Sequence, residues 1–78
     1  NIMKVYETKT FPIYHFDLYR LKKPEELYEL GIEEALDEGV SLIEWPELAQ
    51  DIIKPNFVDI KIEHGGKGEE RIIEVSYY

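Results

Sequence analysis

Two short stretches of this chain carry acids where strands are otherwise apolar. In HFDLYR, His15 to Arg20, strand alternation sends His15, Asp17 and Tyr19 to one face and Phe16, Leu18 and Arg20 to the other. An imidazole, a carboxylate and a phenol then share a surface. In VSLIE, Val40 to Glu44, an apolar run ends in a second carboxylate. Aspartate is depleted in strand interiors, and burying an ionised carboxylate is costly without a cation or hydrogen bonds to compensate it. Asp17 therefore reads as a metal ligand or water-positioning base, or else as a group on a solvated face or paired with His15. Glu44, at the C-terminal end of a strand, stands where phosphate-handling α/β proteins present a carboxylate to magnesium. It also fits an ordinary strand-end acid reaching solvent.

The residues around these acids are open to two readings each. Trp45 is suited to stacking on a base or walling off a site, and equally to half-buried packing. Glu47 reads as a further acidic group or, more simply, a residue near the start of a short helix, and Arg20 as a transition-state charge stabiliser or, more simply, a salt-bridge partner of Glu25 or Glu26. The GGKG run, Gly65 to Gly68, invites comparison with phosphate-binding loops. Neither Ser nor Thr follows Lys67 and no helix follows, so it reads as a hairpin tip. Ser41 and Ser76 lie in expected strands, with nothing to mark either as a nucleophile. His15 and His64 lack zinc-type spacing.

These residues need a scaffold, and the pattern supplies one. Apolar residues in IMKVYE and PIYHFDLYR around a polar TKT turn predict an antiparallel hairpin. Pro24 opens a helix over PEELYEL, with Glu25 and Glu26 near the positive end of its dipole and Leu27, Tyr28 and Leu30 on its apolar side. Gly31 ends it, and IEEALDEG predicts a second short helix closed by Gly39. VSLIE follows as a buried parallel strand, and PELAQDII as a helix of one to two turns. FVDIKIE and RIIEVSYY form a second hairpin around HGGKGEE. The expected fold class is α/β, a mixed sheet with a helical crossover, and residues 1–78 read as a single domain.

Bulk properties narrow the function. With 17 acidic and 9 basic residues, the net charge of −8 repels a phosphate backbone unless the basic groups are gathered on one surface. They are scattered, so direct nucleic-acid binding by this chain alone is not expected. There are no cysteines, which removes disulfides and thiolate-bound zinc as supports and fits a reducing cytoplasm. No apolar run is long enough to span a bilayer and no leader is evident, so a soluble chain is expected. The first residue is Asn1 and the first methionine Met3, as expected of a portion of a longer protein.

Taken together, HFDLYRL, PEELYELGIEEAL and SLIEWPE closely resemble the TsaE family, the P-loop ATPases of bacterial threonylcarbamoyladenosine tRNA modification. The resemblance runs from about Met3 to the end of the chain. It departs from the family in one respect: no strand and glycine-rich Walker A loop, with its lysine and magnesium-binding threonine, precedes the region. The resemblance therefore implies a partial P-loop NTPase-like fold, the C-terminal fragment of a P-loop ATPase domain, inactive by itself. It implies that Glu44 ligates magnesium, that Asp17 supports the metal or orients the attacking water, and that Trp45 lies close to the ATP. The loop at Lys67 and Gly68 corresponds to a region bordering the nucleotide.

The implied partners are TsaB and TsaD in the cytoplasm, with tRNA reached only through them. Two further readings stay open: a non-enzymatic acidic module that docks a protein partner, and a hydrolase using Asp17 and Glu44 as acid and base. A sheet edge left open by the absent strand also raises the expectation of self-association.

Overall fold

The computed structural model describes residues 2–78. Strand β1 (Met3–Tyr6) pairs antiparallel with β2 (Ile13–Asp17), and β2 pairs parallel with β3 (Val40–Glu44), giving a three-stranded mixed sheet in the order β1-β2-β3. Between β2 and β3 lie α1 (Glu25–Glu29) and α2 (Ile32–Glu38). A single 3-10 turn, Pro46–Ala49, follows β3. The chain ends in β4 (Val58–His64) and β5 (Arg71–Tyr77), paired antiparallel.

Local chemistry explains the elements. In the β1–β2 connection the Thr8 hydroxyl accepts the backbone N–H groups of Thr10 and Phe11, at 3.2 and 3.1 Å, and so folds the TKT turn. Pro24 stands at the N-cap of α1, where its missing N–H costs nothing, with Glu25 and Glu26 in the first turn. Gly31 has φ 77°, a left-handed conformation that glycine adopts freely and that lets α1 turn directly into α2. Tyr28, expected on the apolar side of α1, is exposed; Leu27 alone in that helix is buried. One turn of helix presents only a narrow stripe to the sheet.

The core is small and lies on one side of the β1-β2-β3 sheet. Phe16, Leu18, Leu27, Ile32, Ala35 and Ala49 are buried, with Met3, Tyr14, Leu30, Ile43 and Leu48 packed against them. Phe16 and Leu18 thus share the inward side that strand alternation assigns them. The opposite face carries Ile13, His15 and Asp17 from β2 beside Val40, Leu42 and Glu44 from β3, and Leu42 is 55% exposed. β3 is therefore parallel, as expected, but not buried on both faces, because the helices cover one side and β3 lies at the sheet edge.

Two further expectations are corrected. The strand containing HFDLYR stops at Asp17, so Asp17 stands at its end and not near the middle; Tyr19 and Arg20 lie in the turn that follows. The β4–β5 hairpin forms a two-stranded sheet of its own and does not join the first. Its register puts Val58, Ile60, Ile62, Ile73, Val75 and Tyr77 on one face, all exposed, and Asp59, Lys61, Glu63 and Glu74 on the other.

Two side-chain details generate predictions. A Cβ added at Gly39 meets the Pro12 carbonyl oxygen at 2.1 Å, the same oxygen that accepts the Val40 N–H. Gly39→Ala should therefore cost about 1–3 kcal/mol in denaturant unfolding. Gly66→Ala, where nothing lies within 4 Å, should stay within about 0.5 kcal/mol.

The second detail is the Tyr14 hydroxyl, which donates to Glu38 Oε2 at 2.6 Å and ties β2 to the end of α2. That bond, with desolvation and the Glu38 charge, holds the Tyr14 phenol above its ordinary value. A raised value means the folded state holds the proton more tightly. Its contribution to stability is thus full below the unfolded phenol value of about 10 and is lost as pH rises through the raised one. Spectrophotometric titration should show one tyrosine ionising later than the rest, and Tyr14→Phe should abolish that late phase.

Candidate functional site

The parallel ladder sets Asp17 opposite Glu44 and His15 opposite Leu42. Facing residues of adjacent strands share a face, and neighbouring strands lie about 4.8 Å apart. Asp17 and Glu44 are therefore paired residues on one face at the C-terminal ends of a parallel pair, the end at which open α/β sheets place their ligands. The Leu18 N–H donates to the Glu44 carbonyl at 3.1 Å and extends the pairing one residue past β2.

Each acid has its own partner. Asp17 Oδ1 accepts the Tyr19 N–H at 3.2 Å, a local turn bond that fixes the backbone leaving β2. Glu44 Oε2 accepts from His15 Nε2 at 2.7 Å. The sequence suggested a bond between His15 and Asp17, two apart on one strand; the imidazole reaches across to β3 instead. Its diagonal neighbour there, two residues past Leu42, is Glu44, which the ring meets more readily than a short aspartate farther along its own strand. No other ion pair within 4.0 Å occurs among the described residues, so Arg20 is not paired with Glu25 or Glu26. It lines an open groove of about 780 Å³ with Ile2, Met3, Asp17, Tyr19 and Leu30.

Trp45 follows Glu44 with φ 56°, a left-handed conformation uncommon for a large side chain. Pro46 comes next, and a residue before proline is pushed away from the right-handed helical region. The indole lies against the Tyr19 ring, with centroids 4.9 Å apart and planes tilted by 52°. Both rings are largely exposed, Trp45 at 55% and Tyr19 at 67%. With Leu18, Leu21, Glu47 and Leu48 they line a groove of about 300 Å³. Glu47 thus borders the groove from within the 3-10 turn.

The structure gathers Asp17, Glu44 and Trp45 at one edge and adds His15 and Tyr19. Lys67 and Gly68 lie in the turn of the β4–β5 hairpin and line neither groove. The Tyr19–Trp45 contact escaped the sequence because it depends on two turns at once. Its signal was present only as a tryptophan held before a proline. Among the described residues no three His, Cys, Asp or Glu side chains cluster as a metal site. Asp17 and Glu44 supply two carboxylates, a donor set that fits a hard cation completing its shell with water and phosphate oxygens, and not zinc.

Over most of its length the chain is similar to known proteins of one family. The family model described as threonylcarbamoyl adenosine biosynthesis protein TsaE matches residues 1–73. The chain is 49% identical over 63 residues to the tRNA threonylcarbamoyladenosine biosynthesis protein TsaE of Rickettsia felis, covering 81% of this chain and 37% of that protein. It is 33% identical over 73 residues to the Bacillus subtilis protein of the same name, covering 92% and 45%. The crystal structure of Bacillus subtilis YdiB superposes with a TM-score of 0.71 at 31% identity, over 94% of this chain and 44% of that one. The chain thus spans less than half the length of these relatives, and the part it spans has the expected mixed α/β, P-loop NTPase-like fold.

The left-handed backbone at Trp45 is testable by itself. Trp45→Ala and Trp45→Gly remove the same ring contact, but only glycine relieves the strain. The glycine variant should be the more stable of the two by about 1 kcal/mol in thermal unfolding followed by circular dichroism.

Proposed function

The chain belongs to the TsaE family, and on that premise we propose that it is the C-terminal part of a magnesium-dependent P-loop ATPase domain serving threonylcarbamoyladenosine modification of tRNA. The observation that carries this reading is the register of β2 and β3, which sets Asp17 and Glu44 side by side where their strands end.

The reaction is phosphoryl transfer to water: a water oxygen attacks the γ-phosphorus, the bond to the bridging oxygen breaks, and ADP leaves. Asp17 and Glu44 would hold the magnesium, whose charge, when bound, offsets that of the phosphates. Asp17 lines the wide groove together with Arg20, which supports a role for its carboxylate in orienting the attacking water. Trp45 and Tyr19 form an exposed aromatic wall beside the acids, suited to the nucleotide. The phosphate cradle is not in this sequence, so residues 1–78 by themselves should not turn over ATP. Lys67 and Gly68 are assigned to the border of the nucleotide on family resemblance alone.

The partners in this reading are TsaB and TsaD, with tRNA contacted through them in the cytoplasm. That division of labour suits a net charge of −8, which disfavours direct contact with RNA. A second reading, an acidic docking module without catalysis, draws on the exposed apolar face of the β4–β5 hairpin.

Substitution separates the two readings. In the full-length protein assayed with TsaB and TsaD, Glu44→Ala and Asp17→Ala should each lower ATP turnover by at least about a hundredfold, with thermal unfolding little changed. Normal turnover in both variants would favour the docking module.

A further inference from the structure

His15 plays no part in the chemistry above, yet it makes the only ion pair within 4.0 Å among the described residues, and makes it to Glu44. The bond is short, 2.7 Å from Nε2 to Oε2, although both side chains are partly exposed, His15 at 35% and Glu44 at 57%. A glutamate at an exposed strand end is otherwise free to sample several rotamers. His15 is the less exposed of the two, and its backbone lies in the central strand, with Lys4 of β1 and Leu42 of β3 opposite it in register. One carboxylate oxygen is thus tied to a ring carried by the central strand, and Oε1 has no hydrogen-bond partner among the described residues.

We propose that His15 is a positioning residue, which holds the Glu44 carboxylate in one orientation so that its second oxygen faces a hard cation at the ends of β2 and β3. The inference rests on the reading of Glu44 as a metal-holding group and adds to it the source of that group's order. Carboxylates that bind metals depend on their own hydrogen-bond partners, and losing such a partner typically costs 10- to 100-fold in affinity or activity. A purely structural pair of exposed charges would contribute little and would act on stability alone.

The test uses the full-length protein and three substitutions of His15. Glutamine carries an amide nitrogen able to reach Glu44; asparagine is polar but too short; leucine removes the donor. Binding of Mn2+ in the presence of ADP is followed by the loss of the free-ion resonance in electron paramagnetic spectra, alongside kcat, KM for ATP and Tm. His15→Leu and His15→Asn should each weaken Mn2+ binding and lower kcat by about tenfold, with KM for ATP little changed, and His15→Gln should recover most of both. Glu44→Ala, measured in parallel, should lose both.

Wild-type Mn2+ affinity and kcat in His15→Leu or His15→Asn, with Glu44→Ala defective, would overturn the positioning role and leave the reading of Glu44 intact. Unaltered Mn2+ binding and turnover in Glu44→Ala would overturn that reading and the role with it. Equal losses in all three His15 variants, accompanied by an equal fall in Tm, would reduce the pair to a structural contact. Should leucine prevent folding, the contrast between asparagine and glutamine carries the test.

Discussion

The alignment of β2 with β3 is the constraint on which the rest depends. Side chains on a strand alternate with period two, so a slip of one residue would turn Phe16 out of the core and send one of the facing carboxylates to the other side of the sheet. The alignment is held from both ends. At the start, Gly39 lets the chain pass against the Pro12 carbonyl, which receives the Val40 N–H. At the finish, the Leu18 N–H bonds to the Glu44 carbonyl while Leu18 itself is buried. Packing and site geometry are therefore fixed by one ladder.

That coupling explains what was legible in the sequence. Phe16 and Leu18 at alternate positions, Gly31 and Gly39 after short helical patterns, and the apolar run before Glu44 each carry their own physical signal, and each stands where that signal implies. The side-by-side acids followed once the strands were known to be parallel and the family resemblance set them together. Contacts across elements were less accessible. Nothing in local pattern says that an imidazole will choose a glutamate on the next strand over an aspartate on its own. Nor does it say that an arginine near two glutamates will bind neither. The distinction depends on strand offset and side-chain length, quantities that appear only when two segments are laid together.

The extent of burial was also beyond local pattern. VSLIE has the composition of a strand covered on both sides, but whether a strand is covered depends on what packs over it and not on its own residues. Here α1 and α2 pack on one side only, leaving Val40 and Leu42 exposed on the side that carries His15, Asp17 and Glu44. The β4–β5 hairpin shows the same separation of composition from environment. Its alternation gathers most apolar residues on one face, with Ile72 opposite Glu63 on the charged one, yet both faces meet solvent.

Trp45 is the only tryptophan in the chain, and it stands on the residue after Glu44 with Tyr19 against its ring. The protein therefore carries a built-in optical reporter whose emission is dominated by one half-exposed indole at the mouth of the groove. At 4.9 Å the neighbouring phenol is close enough to pass its excitation to that indole almost completely. A change at this edge of the sheet can be read without attaching a dye, and the signal comes from the residue next to Glu44.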